Sequence, residues 1–154
     1  MKSKIQSRRL ARLAAFLMLL TPVVADPGLA AERPKATLYK NPQCSCCDEY
    51  ARYLRRNGFE VRVVSTHDLS LIKKQHGITE NLEGCHTTLI DRYVVEGHVP
   101  VRTIDRLLTE RPDIRGISLP GMPEGSPGMT GRKSEPFTIY EIGDAAEPRV
   151  FAVE

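Results

Sequence analysis

The chain has 154 residues, 41% hydrophobic and 27% charged, which suits one globular domain and excludes a collagen, a coiled coil or a wholly disordered chain. The net charge of +3 is lopsided, because residues 1–31 hold Lys2, Lys4, Arg8, Arg9 and Arg12 against one acid, Asp26. The rest of the chain is slightly acidic, so no basic excess is left for phosphate contacts and nucleic acid is excluded as an expected partner.

The five basic residues precede the apolar run Leu13–Leu20, which Thr21-Pro22 breaks before small residues follow. A positive start, a short apolar stretch and an Ala-rich exit predict a signal peptide over residues 1–31, cut near Ala30 or Ala31. The mature domain is then 32–154, expected outside the cytoplasm, in the periplasm if the source is Gram-negative, and free of the membrane after cleavage. That compartment is oxidising.

In chain order, Ala36–Tyr39 reads as a strand. A helix follows from about Cys46 to Asn57, with Cys47, Tyr50, Ala51 and Leu54 on one face and Gly58 as its stop. Phe59–Val63 alternates as a half-buried strand. Asp68 can cap a second helix over 69–76. Thr87–Ile90 and Tyr93–Val95 read as a strand pair across Asp91-Arg92. Pro100 is placed at the first position of a third helix, which Pro112 ends. The order β-α-β-α-β-β-α is that of a thioredoxin-like α/β fold. A long Gly/Pro-rich loop, 117–136, and an extra C-terminal strand, 137–142, follow it, and then a polar tail.

All four cysteines lie in the mature part. Cys44, Cys46 and Cys47 crowd into four positions, where a disulfide closes almost no loop and stabilises little. The crowding points to chemistry. Cys44 and Cys47 form a Cys-x-x-Cys at the start of the first helix, where backbone N–H groups favour thiolate. They are expected to face one point, with Cys46 turned elsewhere around the helix and able to bridge neighbouring ions. Cys85 joins them by topology, because the third strand should lie antiparallel beside the first. The sequence there is Gly84-Cys85-His86-Thr87, where a redox thioredoxin carries a proline. Four soft sulfurs select Cu(I), Zn(II) or an iron–sulfur cluster.

His86 adjoins Cys85, and His98 follows the fourth strand at the same rim, so both are candidate ligands. His67 and His76 read as surface or capping residues. Met122 and Met129 sit in the long loop, where thioether would suit Cu(I) or simply pin the loop.

Cys44-Ser-Cys-Cys47, Cys85-His-Thr87, Glu96-Gly-His-Val-Pro100 and the Pro120-Gly-Met-Pro to Gly-Ser-Pro-Gly-Met129 loop together resemble the CopG-type periplasmic copper-resistance proteins. The resemblance runs from about Leu38 to Phe151, with Ser45 where many relatives have Gly. It implies a thioredoxin-like fold, copper on the cysteine cluster, a role in copper homeostasis and coupling between copper and thiol redox states. The expected ligand set is Cys44, Cys46, Cys47 and Cys85, with His86, His98, Met122 and Met129 as secondary candidates. The expected cargo is Cu(I), in one or several ions, exchanged with other periplasmic copper-handling proteins. The competing expectations are an enzyme, a thiol–disulfide or copper-linked oxidoreductase using Cys44 and Cys47, and a disulfide-stapled interaction module.

Overall fold

A computed structural model describes residues 33–145 and 147–154. The expected signal peptide lies outside the described residues. The elements are β1 (Ala36–Lys40), α1 (Ser45–Arg56), β2 (Val61–Ser65), α2 (Leu69–Gln75), a 3-10 turn (Glu80–Leu82), β3 (His86–Ile90), β4 (Tyr93–Glu96), α3 (Val101–Glu110), β5 (Gly116–Ser118), β6 (Thr138–Ile142) and β7 (Val150–Val153). The α/β class and the order β-α-β-α-β-β-α are as expected.

All seven strands join one sheet in the order β2-β1-β3-β4-β5-β6-β7. β1 is parallel to β2 and antiparallel to β3, with Lys40 opposite His86. β4 is antiparallel to β3 and parallel to β5. β6 and β7 then extend the sheet as an antiparallel pair.

The strand period of two sends alternate residues to opposite faces. On one face Leu38, Ile90, Val95, Ile117 and Ile139 pack with Tyr50, Ala51 and Leu54 of α1 and Ile104 and Leu107 of α3. On the other, Val94 and Ile142 pack with Ile78 and Leu82, in the segment after α2. Both faces of the sheet centre are thus covered, and every residue of β4 is buried.

Several expectations about elements change. The long loop begins later, because Gly116–Ser118 forms β5 beside β4. A three-residue strand holding one glycine has too few positions for any period to show. The polar tail contains β7, whose Phe151 is buried. Pro100 lies just before α3, in extended backbone, rather than at its first turn. Asp68 does precede α2, but its side chain makes no capping hydrogen bond. Among the described residues no helix is long and apolar enough to cross a membrane.

Gly116 shows how closely β5 is fitted. A Cβ there would run into the Val94 carbonyl oxygen and the backbone behind it. Gly116→Ala should lower unfolding free energy by about 2 kcal/mol through overpacking, measured as a shifted urea midpoint with an unchanged slope.

Candidate metal centre

The β1–β3 register brings two distant stretches of chain to one rim. β1 ends at Lys40 and β3 begins at His86, and these residues pair. The turn after Lys40 closes with the Cys44 N–H donating to the Asn41 carbonyl at 3.1 Å. Lys40 holds that turn from beneath. It is buried, and its Nζ donates to the carbonyls of Asn41 and Pro42 at 3.3 Å each, to that of Cys44 at 3.1 Å and to the Asp48 carboxylate at 3.0 Å.

Cys44 caps α1, and Cys46 and Cys47 occupy its first turn. Cys44 and Cys47 are joined by a disulfide, while Cys46 and Cys85 are free. The Cys46 sulfur is 3.4 Å from that of Cys44 and 3.8 Å from that of Cys85. The Cys47 and Cys85 sulfurs are 3.6 Å apart. The expectation that Cys46 turns away is therefore corrected: all four sulfurs lie within 4.8 Å of one another. Cys46 is the second residue of α1, and its sulfur faces that of Cys85, just before β3. Sulfurs that share one tetrahedral ion through bonds of about 2.3 Å stand about 3.8 Å apart. The Cys44–Cys46, Cys46–Cys85 and Cys47–Cys85 pairs are already near that spacing, and reduction of the disulfide would free the Cys44–Cys47 pair to reach it.

Two imidazoles meet Cys85. His98 Nδ1 lies 2.7 Å from the Pro127 carbonyl oxygen, which can only accept. Nδ1 therefore carries the proton, and Nε2 turns a lone pair toward the Cys85 sulfur at 2.9 Å. His86 Nδ1 is 3.4 Å from the same sulfur, and its buried Nε2 has no hydrogen-bond partner. Cys85, His86 and His98 form a second cluster of candidate ligands sharing a sulfur with the first. The Tyr50 ring packs on both imidazoles, with centroids 4.5 Å from His86 and 5.3 Å from His98, and its hydroxyl donates to the Val99 carbonyl at 2.8 Å.

Burial shapes the titration of these groups. It pushes the Cys85 thiol up to about 12, with the neighbouring Cys46 adding to the effect. It holds His86 well below the ordinary histidine value, helped by His98 and Lys73. It also lowers His98, against the opposing hydrogen bond to Pro127. Both imidazoles are therefore neutral at neutral pH and able to bind a cation.

The long loop covers part of this rim. Gly128 has φ +85°, and a Cβ on it would come within 2.7 Å of the Tyr50 nitrogen and 3.2 Å of the Cys46 carbonyl oxygen. Met129 follows in the same turn and is partly buried, whereas Met122 is 52% exposed. His67 is exposed and His76 partly so, and neither belongs to the two clusters. A cleft of about 300 Å³ walled by Asn41, Leu69, Ser70 and Glu83 opens onto Cys44 and Cys85. Sequence reasoning missed Lys40 and took Tyr50 as core alone. It read the loop for its methionines, not for the Pro127 carbonyl.

In the disulfide form Cys85 should resist iodoacetamide until the pH nears 12, and peptide mass mapping checks this. Its raised value stabilises the fold below the ordinary cysteine value of 9.0. That contribution should fade as pH rises from 9.0 toward about 12, seen as falling urea midpoints.

Comparison with known proteins bears on the same residues. A family model described as a protein of unknown function, DUF411, matches residues 82–129, the stretch from Cys85 through His98 to Met129. No curated protein matches the chain in sequence. A solved structure of the copper resistance protein copG, form 2, is 34% identical, with a TM-score of 0.73, and the match covers 80% of this chain and 99% of that one. Form 1 of copG is likewise 34% identical, with a TM-score of 0.72 and coverage of 80% and 98%. At 34% identity across 80% of this chain and nearly the full length of both copG structures, the chain belongs to the CopG copper resistance protein family.

Proposed function

We propose that this protein is an exported, periplasmic copper-handling protein that sequesters Cu(I) on Cys44, Cys46, Cys47 and Cys85. The observation that carries the reading is the convergence of four sulfurs within 4.8 Å on one rim. Thiolate is the soft donor that Cu(I) prefers. His98 Nε2 and His86 Nδ1 add neutral nitrogen donors beside Cys85, and Met129 or Met122 a thioether from the loop. Family membership supports copper over zinc, since the relatives are copper resistance proteins. Adjacent Cys46 and Cys47 favour bridging, so more than one ion per chain is expected.

Binding on all four sulfurs requires reduction. The disulfide withdraws two of the four donors, and an external dithiol, itself oxidised to a disulfide, would supply the two electrons and two protons that return them as thiols. Each thiol then gives up its proton as copper binds, so affinity rises with pH.

A second reading follows from the disulfide lying within the same sulfur cluster. Two thiolates can pass one electron each to two Cu(II) ions, forming the Cys44–Cys47 disulfide and two Cu(I). The protein would then be a copper-linked oxidoreductase. Ordinary disulfide exchange is less favoured, because Gly84-Cys85-His86 stands where a redox thioredoxin has its proline, and insulin reduction should be slow.

Anaerobic Cu(I) titration against bathocuproine tests the main reading. The reduced protein should hold more than one Cu(I) per chain and the disulfide form fewer. Cys85→Ser should lower the stoichiometry or affinity, while His76→Ala should match the parent. One zinc per chain that Cu(I) cannot displace would overturn the reading. Export is tested by intact mass: the mature protein should begin near Ala31 or Glu32, and retention of Met18 would overturn it.

A further inference from the structure

A buried ion pair behind Cys85 has no task in the metal-holding reading. Lys73 of α2 is 4% exposed, Glu96 at the end of β4 is fully buried, and their ammonium and carboxylate are in contact. Both grip one residue, Gly84. Its N–H donates to Glu96 Oε1 at 2.7 Å, and its carbonyl accepts from Lys73 Nζ at 2.9 Å. The Thr87 hydroxyl fixes the other carboxylate oxygen at 2.7 Å. Gly84 lies so close to β4's end that a Cβ on it would stand 2.6 Å from the Gly97 Cα. Gly97 in turn donates its N–H to the His86 carbonyl at 3.0 Å. Cys85 is the residue between these two anchored points.

Stability alone does not explain such a pair. Desolvating two charges offsets most of their attraction, and well-packed apolar residues of similar volume often serve as well. What apolar residues cannot do is donate to a carbonyl and accept from an N–H at the same glycine. Hydrogen bonds to charged groups are the short, strong ones.

We propose that Lys73 and Glu96 are positioning residues for Cys85: by clamping both main-chain groups of Gly84 they aim the Cys85 sulfur at Cys46 and Cys47 without touching the metal. This rests on the copper-holding function proposed above and extends it to residues outside the ligand set. Outer partners of metal ligands commonly change affinity by about 10- to 100-fold.

The test uses the mature protein and the double variant Lys73→Met with Glu96→Leu, which removes both charges together and leaves neither unpaired. It should keep its circular dichroism spectrum and lose about tenfold in Cu(I) affinity against bathocuproine. Adding Cys85→Ser to it should cause little further loss, because Cys85 has already left the site. A merely structural role would make the two losses add. Glu96→Gln keeps the shape of the carboxylate and should show a smaller loss with the same non-additivity; it decides the matter if the double variant fails to fold. A second arm needs no copper: in the reduced, metal-free protein, iodoacetamide should label Cys85 faster in the variant than in the parent, with Cys46 unchanged. Parent-like affinity, additive losses, or an unchanged Cys85 labelling rate would overturn the proposal. A parent that binds no Cu(I) would instead overturn the proposed function, and the labelling arm would still judge the clamp.

Discussion

The antiparallel pairing of β1 with β3 is the constraint on which the site depends. Cys44 and Cys85 are separated by some forty residues, and only the match of Lys40 with His86 makes them neighbours. β1 is an inner strand with β2 on its other side, so its register is fixed by ladders on both edges. A slip of one residue would turn Leu38 out of the core, which makes the slip costly. The apolar packing of the sheet thus sets the sulfur geometry. The chemistry at the rim needs no separate folding signal.

Around that rim the molecule spends charge in unusual places. Lys40, Lys73 and Glu96 are buried, although such side chains are almost never fully buried unless paired. Each reaches backbone next to a cysteine. Lys40 gathers the carbonyls of the turn that ends at Cys44, and Lys73 with Glu96 holds the residue before Cys85. A turn bearing several close thiols has little apolar surface of its own to hold it in place. Directed hydrogen bonds from charged groups take over that task. The opposite side of the site is the Tyr50 ring against two neutral imidazoles, which keeps water from His86.

The sequence made the architecture legible where periodicity is long and left it hidden where contacts are distant. The twelve residues of α1 carry a clear apolar stripe at Cys47, Tyr50, Ala51 and Leu54, and the helix lies within a residue or two of expectation. β5 and β7 have three and four residues, too few for a pattern, and their partners supply the reason they are strands. Crowded cysteines announced a site, and topology brought Cys85 to it. The direction of Cys46 was misread, because side-chain aim in a first helical turn depends on the preceding turn that Lys40 shapes. Buried charges were invisible for a simpler reason: a lysine or glutamate in a sequence reads as surface until its partner is seen.

The last strand has a bearing on the rim. β7 brings the end of the chain back onto α3, where Glu154 accepts from the Thr103 hydroxyl at 2.6 Å and the Phe151 carbonyl from Arg106 at 3.1 Å. β7 lies four strand spacings from β3, which is about 19 Å across the sheet. Val153 pairs with Thr138, at the end of the strands that also carries Glu96 and His86, so β7 closes the rim side of the sheet at the edge away from the cysteines.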